Sequence, residues 1–205
     1  PAQFPDSNAS FLVDGPAGVL EVATAMPTAD ARAGTVVICH PHSLQGGTMT
    51  NKVVTTLERA LRELGLATVR FNFRGVGQSG GSFDDGVGES EDLARVAAWV
   101  HQVQPGDALW LAGFSFGSFV ALRSAKRLMP SQLIQIAPPV GRWAFATIEL
   151  PECPWLVVQG ENDEIVDAQA VYAWIDQLPR ALQLVKLTDT SHFFHGKLVE
   201  LRSVV

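Results

Sequence analysis

Apolar residues fall along this chain in short clusters of two kinds, and the two kinds alternate. Residues 35–39, Thr-Val-Val-Ile-Cys, are a continuous β-branched run, the pattern of a strand covered on both faces. Residues 50–64 instead place apolar side chains at Val53, Val54, Leu57, Leu61 and Leu64, a helical spacing, and Gly65 follows as a stop. The same reasoning gives strands over 67–73, 107–112, 133–137, 155–159 and 182–187. It gives helices over 90–103, 116–129 and 167–178, and a closing helix from 196 to the end. Ser90 is placed to cap the first of these, and Pro130 and Pro179 stop the next two. Two short β-like clusters, 11–13 and 19–26, surround Gly15, Pro16 and Gly18 and read as an opening hairpin. Strand and helix in turn imply an α/β fold. We expect one domain over 1–205, with a mostly parallel sheet of about eight strands and helices on both faces. Ligands of such sheets bind beyond the carboxyl ends of the strands, so the residues just after each strand carry the chemistry.

Composition narrows the class. Hydrophobic residues make up 47% of the 205 positions and charged residues 18%, which argues against disorder. The net charge of −6 argues against a nucleic-acid partner, which needs a basic footprint, and against an anionic membrane surface. No apolar run approaches the ~18 residues of a membrane span. No signal-peptide pattern opens the chain, and its first residue is Pro1, as expected of a trimmed start. Two cysteines, Cys39 and Cys153, make no disulfide framework and fit a reducing, cytoplasmic compartment.

The strongest chemical signal follows the strand at 107–112. Gly113-Phe114-Ser115-Phe116-Gly117 reads G-x-S-x-G and lies between a strand and a helix. A turn that tight forces its central residue into a sparsely populated backbone region. Side chains at 113 and 117 would collide across it, so both are glycine. The strain lifts the Ser115 hydroxyl above the sheet, and the N–H of Phe116 opens the next helix where an oxyanion would form.

A serine hydroxyl needs a general base, and the base needs an orienting carboxylate. Both follow Ser115 in chain order. Asp163 lies in the loop after the strand at 155–159, where Glu161, Glu164 and Asp167 are rivals. His192 follows the last strand, with His195 a rival one helical turn later. A second oxyanion donor is expected from the loop after 35–39, which reads His40-Pro41-His42-Ser43-Leu44-Gln45. Pro41 has no N–H, which leaves His42 and Leu44. The His40–His42 pair lacks further ligand spacing, so no metal is expected and a structural role is favoured.

Gly75-Val76-Gly77-Gln78-Ser79-Gly80 matches a dinucleotide fingerprint in letters only. That motif must open a helix at once, and here the loop continues through 81–86. No cofactor is expected.

With these residues in view, the chain resembles the α/β-hydrolases, and more narrowly the compact, lidless bacterial serine hydrolases of that fold, distantly similar to dienelactone hydrolases. The resemblance is carried by His40-Pro41-His42 with Gly46-Gly47-Thr48-Met49, by Phe73-Arg74-Gly75-Val76-Gly77-Gln78-Ser79, by the turn at Ser115, and by residues 160–166 and 191–194. It implies Ser115 as nucleophile, Asp163 as acid and His192 as base. Two departures stand out. Many relatives carry Pro where this chain has Ser43, and dienelactone hydrolases use Cys as nucleophile. Where capped relatives carry a lid, this chain has only 138–154, room for one short helix and no cap domain. Trp143, Phe145 and Phe193 are the expected substrate-lining aromatics.

The expected activity is hydrolysis of small acyl esters or thioesters through an acyl-enzyme, with a small-molecule acyl substrate as partner and neither nucleic acid nor membrane. The same chemistry serves a peptidase or amidase on small peptides, and the fold also serves non-catalytic binding proteins.

Overall fold

The computed structural model describes residues 1–205. Its strands, in chain order, are β1 (Ala9–Gly15), β2 (Gly18–Ala25), β3 (Gly34–Cys39), β4 (Ala67–Phe71), β5 (Ala108–Phe114), β6 (Gln132–Ile136), β7 (Trp155–Gly160) and β8 (Gln183–Leu187). Its helices are α1 (Lys52–Glu63), α2 (Val87–Val103), α3 (Phe116–Leu128), α4 (Ala168–Asp176) and α5 (Leu198–Val204). All eight strands join one sheet in the order β1-β2-β4-β3-β5-β6-β7-β8. β1 and β2 pair antiparallel, as do β2 and β4, and every other pairing is parallel. No helix is long and apolar enough to cross a membrane.

The unbroken apolar run of β3 has a direct cause. Successive strand side chains point to opposite faces, and each face is covered by helices. Val37 and Cys39 join the layer beneath α2, α3 and α4, with Leu93, Val120 and Val171. Val36 and Ile38 join the layer beneath α1 and α5, with Leu57, Leu61 and Leu201. Each of the four is fully buried. Burial at this level stabilises by about 1.5–3 kcal/mol per large aliphatic side chain.

Three expectations about elements need correction. Ser90 is not the cap of α2. The helix begins at Val87 with Gly86 at its N-cap, and the Ser90 hydroxyl donates to the Gly86 carbonyl at 2.6 Å. Glu89 reaches back instead and accepts the N–H groups of Asp84 (2.9 Å) and Gly86 (2.8 Å), so an acid does the work assigned to the serine. The strand expected to reach 73 ends at Phe71, because the Phe73 N–H leaves the ladder for the His40 ring. Residues 138–154 hold no full helix. They form an isolated bridge between Val140 and Trp143 and a single 3-10 turn, Phe145–Thr147.

Candidate active site

Ser115 is the hinge between β5 and α3, with φ 51° and ψ −121°. Few non-glycine residues hold such a conformation unless their surroundings impose it. Here the Ser115 N–H is fixed to the Ile136 carbonyl at 2.8 Å. A Cβ at 113 would overlap the Gly117 carbonyl, and one at 117 would overlap the Cys39 carbonyl of β3. The two glycines therefore let α3 approach the strand ends closely enough to set the hydroxyl above the sheet.

His192 meets that hydroxyl. Its Nε2 lies 3.0 Å from Ser115 Oγ, and its Nδ1 lies 2.8 Å from Asp163 Oδ2. With Nδ1–H donating to the carboxylate, Nε2 keeps its lone pair toward the serine. The Asp163 side chain is fully enclosed, and it is pinned from several sides. Oδ1 accepts the N–H groups of Ile165 (2.9 Å) and Val166 (2.7 Å), and Oδ2 also accepts from Gln159 Nε2 at 3.1 Å. Burial pushes the Asp163 carboxyl up. The bonds from His192, Val166 and Ile165 outweigh it and hold the group below the usual carboxylate range. Asp163 therefore stays charged beside the imidazole.

The rivals are engaged elsewhere. Asp167 caps α4 by accepting the Gln169 N–H at 2.9 Å. Glu164 accepts the backbone N–H of His192 at 3.1 Å, a tether that sequence reasoning did not foresee. Glu161 and His195 are exposed.

The loop after β3 brings His42 to the same place. His42, Ser115, Phe116 and His192 all border one cavity of about 150 Å³. The His42 N–H donates to no backbone carbonyl. Phe116 opens α3, where the first N–H groups have no intrahelical partner. Leu44 does not fit the donor role it shared with His42. Its N–H is taken by His42 Nδ1 at 3.2 Å, and its side chain is 72% exposed outside the cavity. His40 has both ring nitrogens in use, Nδ1–H toward the Pro41 carbonyl (2.7 Å) and Nε2 accepting from Phe73 N–H (3.0 Å). It has no lone pair left for a metal. Burial depresses its pKa to about 4, so the ring is neutral and locked in one tautomer. Burial lowers His42 as well.

Trp143 and Phe193 border the cavity. Phe145 does not. It is buried beneath the surface, 5.5 Å from the Phe119 ring and 5.2 Å from the Trp174 ring, because the 3-10 turn points it into the core. The glycine-rich segment 75–80 folds back on β2. The Glu21 carboxylate accepts the Gln78 N–H at 2.8 Å, and the Ser79 hydroxyl donates to the Asn72 carbonyl at 2.6 Å. It remains a loop until α2. Arg142, Gln45 and Asn51 also border the cavity, unforeseen from sequence. Their position in loops after β3 and β6 was the available signal.

A hydroxyl in reach of an imidazole that a buried carboxylate orients can lose its proton to that imidazole while attacking a carbonyl. Comparisons with known proteins agree with this fold. A family model describing an alpha/beta hydrolase domain matches residues 33–200. A Xanthomonas campestris structure described as a serine hydrolase without a lid is 54% identical, with a TM-score of 0.96, over 100% of this chain and 94% of that one. A serine hydrolase homologue from Coxiella burnetii is 49% identical, with a TM-score of 0.95, over 98% and 97%. An uncharacterized protein of Rickettsia prowazekii is 33% identical over 94% of this chain and 84% of its own length.

Proposed function

The chain belongs to the alpha/beta hydrolase family, of the serine hydrolase kind, and from that premise we propose that it cleaves small acyl esters or thioesters through Ser115, His192 and Asp163. One observation carries this reading: an unbroken line of hydrogen bonds runs from Ser115 Oγ through both nitrogens of His192 to Asp163.

In the proposed cycle His192 Nε2 takes the Ser115 proton as Oγ attacks the acyl carbonyl. The N–H groups of Phe116 and His42 receive the oxyanion. The imidazolium then gives its proton to the departing alkoxide or thiolate, leaving an acyl-serine. Water attacks that ester with His192 again as base, and the carboxylic acid leaves. Asp163 stays ionised throughout, which its depressed pKa supports. The modest cavity, bordered by Trp143 and Phe193, supports short acyl groups. Two free, buried cysteines support a cytoplasmic setting.

The test is labelling by a fluorophosphonate probe together with turnover of 4-nitrophenyl esters by wild type and Ser115→Ala. We expect one label, on Ser115, and a fall in kcat of at least about 10³-fold in the variant. Retained turnover, or a label elsewhere, would overturn the assignment. Matched anilides hydrolysed as fast as the esters would instead move the reading to an amidase.

A further inference from the structure

We propose that Arg142 selects substrates that carry a carboxylate a short distance from the scissile ester; this deepens the ester-hydrolase reading and rests on it.

The charge pattern around the cavity is one-sided. Apart from His42 and His192, Arg142 is the only titratable side chain on its wall, and no Asp, Glu or Lys borders it. The surrounding carboxylates are committed elsewhere. Asp85 accepts from Trp143 Nε1 at 2.9 Å, Glu89 holds the start of α2, and Glu164 and Asp163 hold His192. Arg142 has no carboxylate partner among the ion pairs of the molecule. Its one side-chain hydrogen bond runs from Nη2 to the Ile165 carbonyl at 3.3 Å. Ile165 also borders the cavity, so this long bond from an exposed side chain keeps the guanidinium beside the cavity and leaves most of its donors unmatched.

Two neutral donors also border the cavity. Asn51 uses its Oδ1 to accept the Val53 N–H at 2.9 Å, which leaves its NH₂ group free. The Gln45 side-chain amide makes no hydrogen bond within the chain, and the residue is exposed. A cation that shares a cavity with unused donors suits an oxyanion, and a planar guanidinium suits a carboxylate because it can donate two parallel N–H bonds. A chain of net charge −6 that gives this wall a lone cation is poorly arranged for a cationic substrate. Ser115 and Arg142 border the same modest cavity, which suits a carboxylate and a reacting carbonyl on one small molecule.

The test uses charge-matched substrate pairs on the full chain. On the acyl side, 4-nitrophenyl hemiadipate is compared with 4-nitrophenyl heptanoate. On the alcohol side, 4-acetoxybenzoate is compared with its methyl ester. Wild type, Arg142→Gln and Arg142→Lys are assayed on all four. We expect Arg142→Gln to lower kcat/KM for at least one anionic member by roughly tenfold, with its neutral twin changed by less than about twofold. The loss should fall mainly on KM, Arg142→Lys should restore part of it, and added salt should weaken the wild-type preference. The pair that responds tells which side of the ester bears the charge. Equal losses on charged and neutral members, or no loss on either anionic ester, overturn this proposal and leave the ester reading intact. Failure of wild type on all four esters, or activity surviving Ser115→Ala, overturns the ester reading itself and this one with it.

Discussion

Acidification should weaken the fold of this protein through a residue that touches no substrate. His40 is fully buried at the end of β3, and its ring is 4.6 Å from that of Phe73. Its unprotonated Nε2 accepts the Phe73 N–H. A proton added there must face that donor with no water to solvate it. The folded value of about 4 lies below the ordinary 6.5, so above pH 6.5 the folded and unfolded chains bind the same number of protons at this site. Between 6.5 and about 4 the unfolded chain binds more, and stability falls with pH. At 1.36 kcal/mol per pH unit the full interval amounts to about 3 kcal/mol, of which about 2 kcal/mol is lost by pH 5. Asp163 and Glu21 are also held low, but as carboxyls their windows open only below about pH 4.5. His42 acts in the same direction as His40 and remains as background in the comparison. The assay is urea unfolding, followed by tryptophan fluorescence, of wild type and His40→Gln between pH 7.5 and 5. Gln keeps an acceptor for the Phe73 N–H and does not titrate. The variant should be weaker at pH 7.5 by about 1–3 kcal/mol, from the lost Pro41 bond and poorer packing, and the gap should narrow toward pH 5. Parallel curves, or an imidazole NMR titration placing His40 near 6.5, would refute the reasoning.

Asp163→Asn should keep the bonds from Ile165 and Val166 but lose the charge and the correct His192 tautomer. Its kcat on esters should fall by about 10³–10⁴-fold with little change in KM, measured by steady-state kinetics. Gly117→Ala should destabilise by more than about 2 kcal/mol, since the new methyl overlaps backbone of β3 that cannot move aside, and probe labelling of Ser115 should slow in parallel. Asp92→Ala should cost about 3–5 kcal/mol in denaturant unfolding, because the Asp92 carboxylate is fully buried and accepts the Arg74 backbone N–H at 3.0 Å and its Nη2 at 2.8 Å. Stability within about 1 kcal/mol of wild type would show that water satisfies Arg74 unaided.

What the sequence determined by itself was local. The alternation of β-branched runs with helical spacings set the fold class, because strand and helix periods are properties of neighbouring residues. The turn at Ser115 was legible for the same reason: two glycines and a serine between a strand and a helix admit few backbone paths. The order of Ser115, Asp163 and His192 along the chain was visible too. Spacing alone did not say which acid and which histidine would meet, since Glu161, Glu164, Asp167 and His195 are equal to them as letters, and only the family resemblance picked out Asp163 and His192. The folded loops give the physical reason, by turning Asp163 onto the N–H groups of Ile165 and Val166 and by binding the His192 N–H to Glu164. The same limit explains Ser90, displaced as a cap by Glu89, and Phe145, drawn into the core while Trp143 stays at the cavity. The role proposed for Arg142 depends on loops distant in sequence leaving no carboxylate on the cavity wall. Periodicity records what each residue prefers next to its neighbours in the chain. Tertiary structure decides which of several equal polar groups finds its hydrogen-bond partners first filled, and which is left to face the ligand.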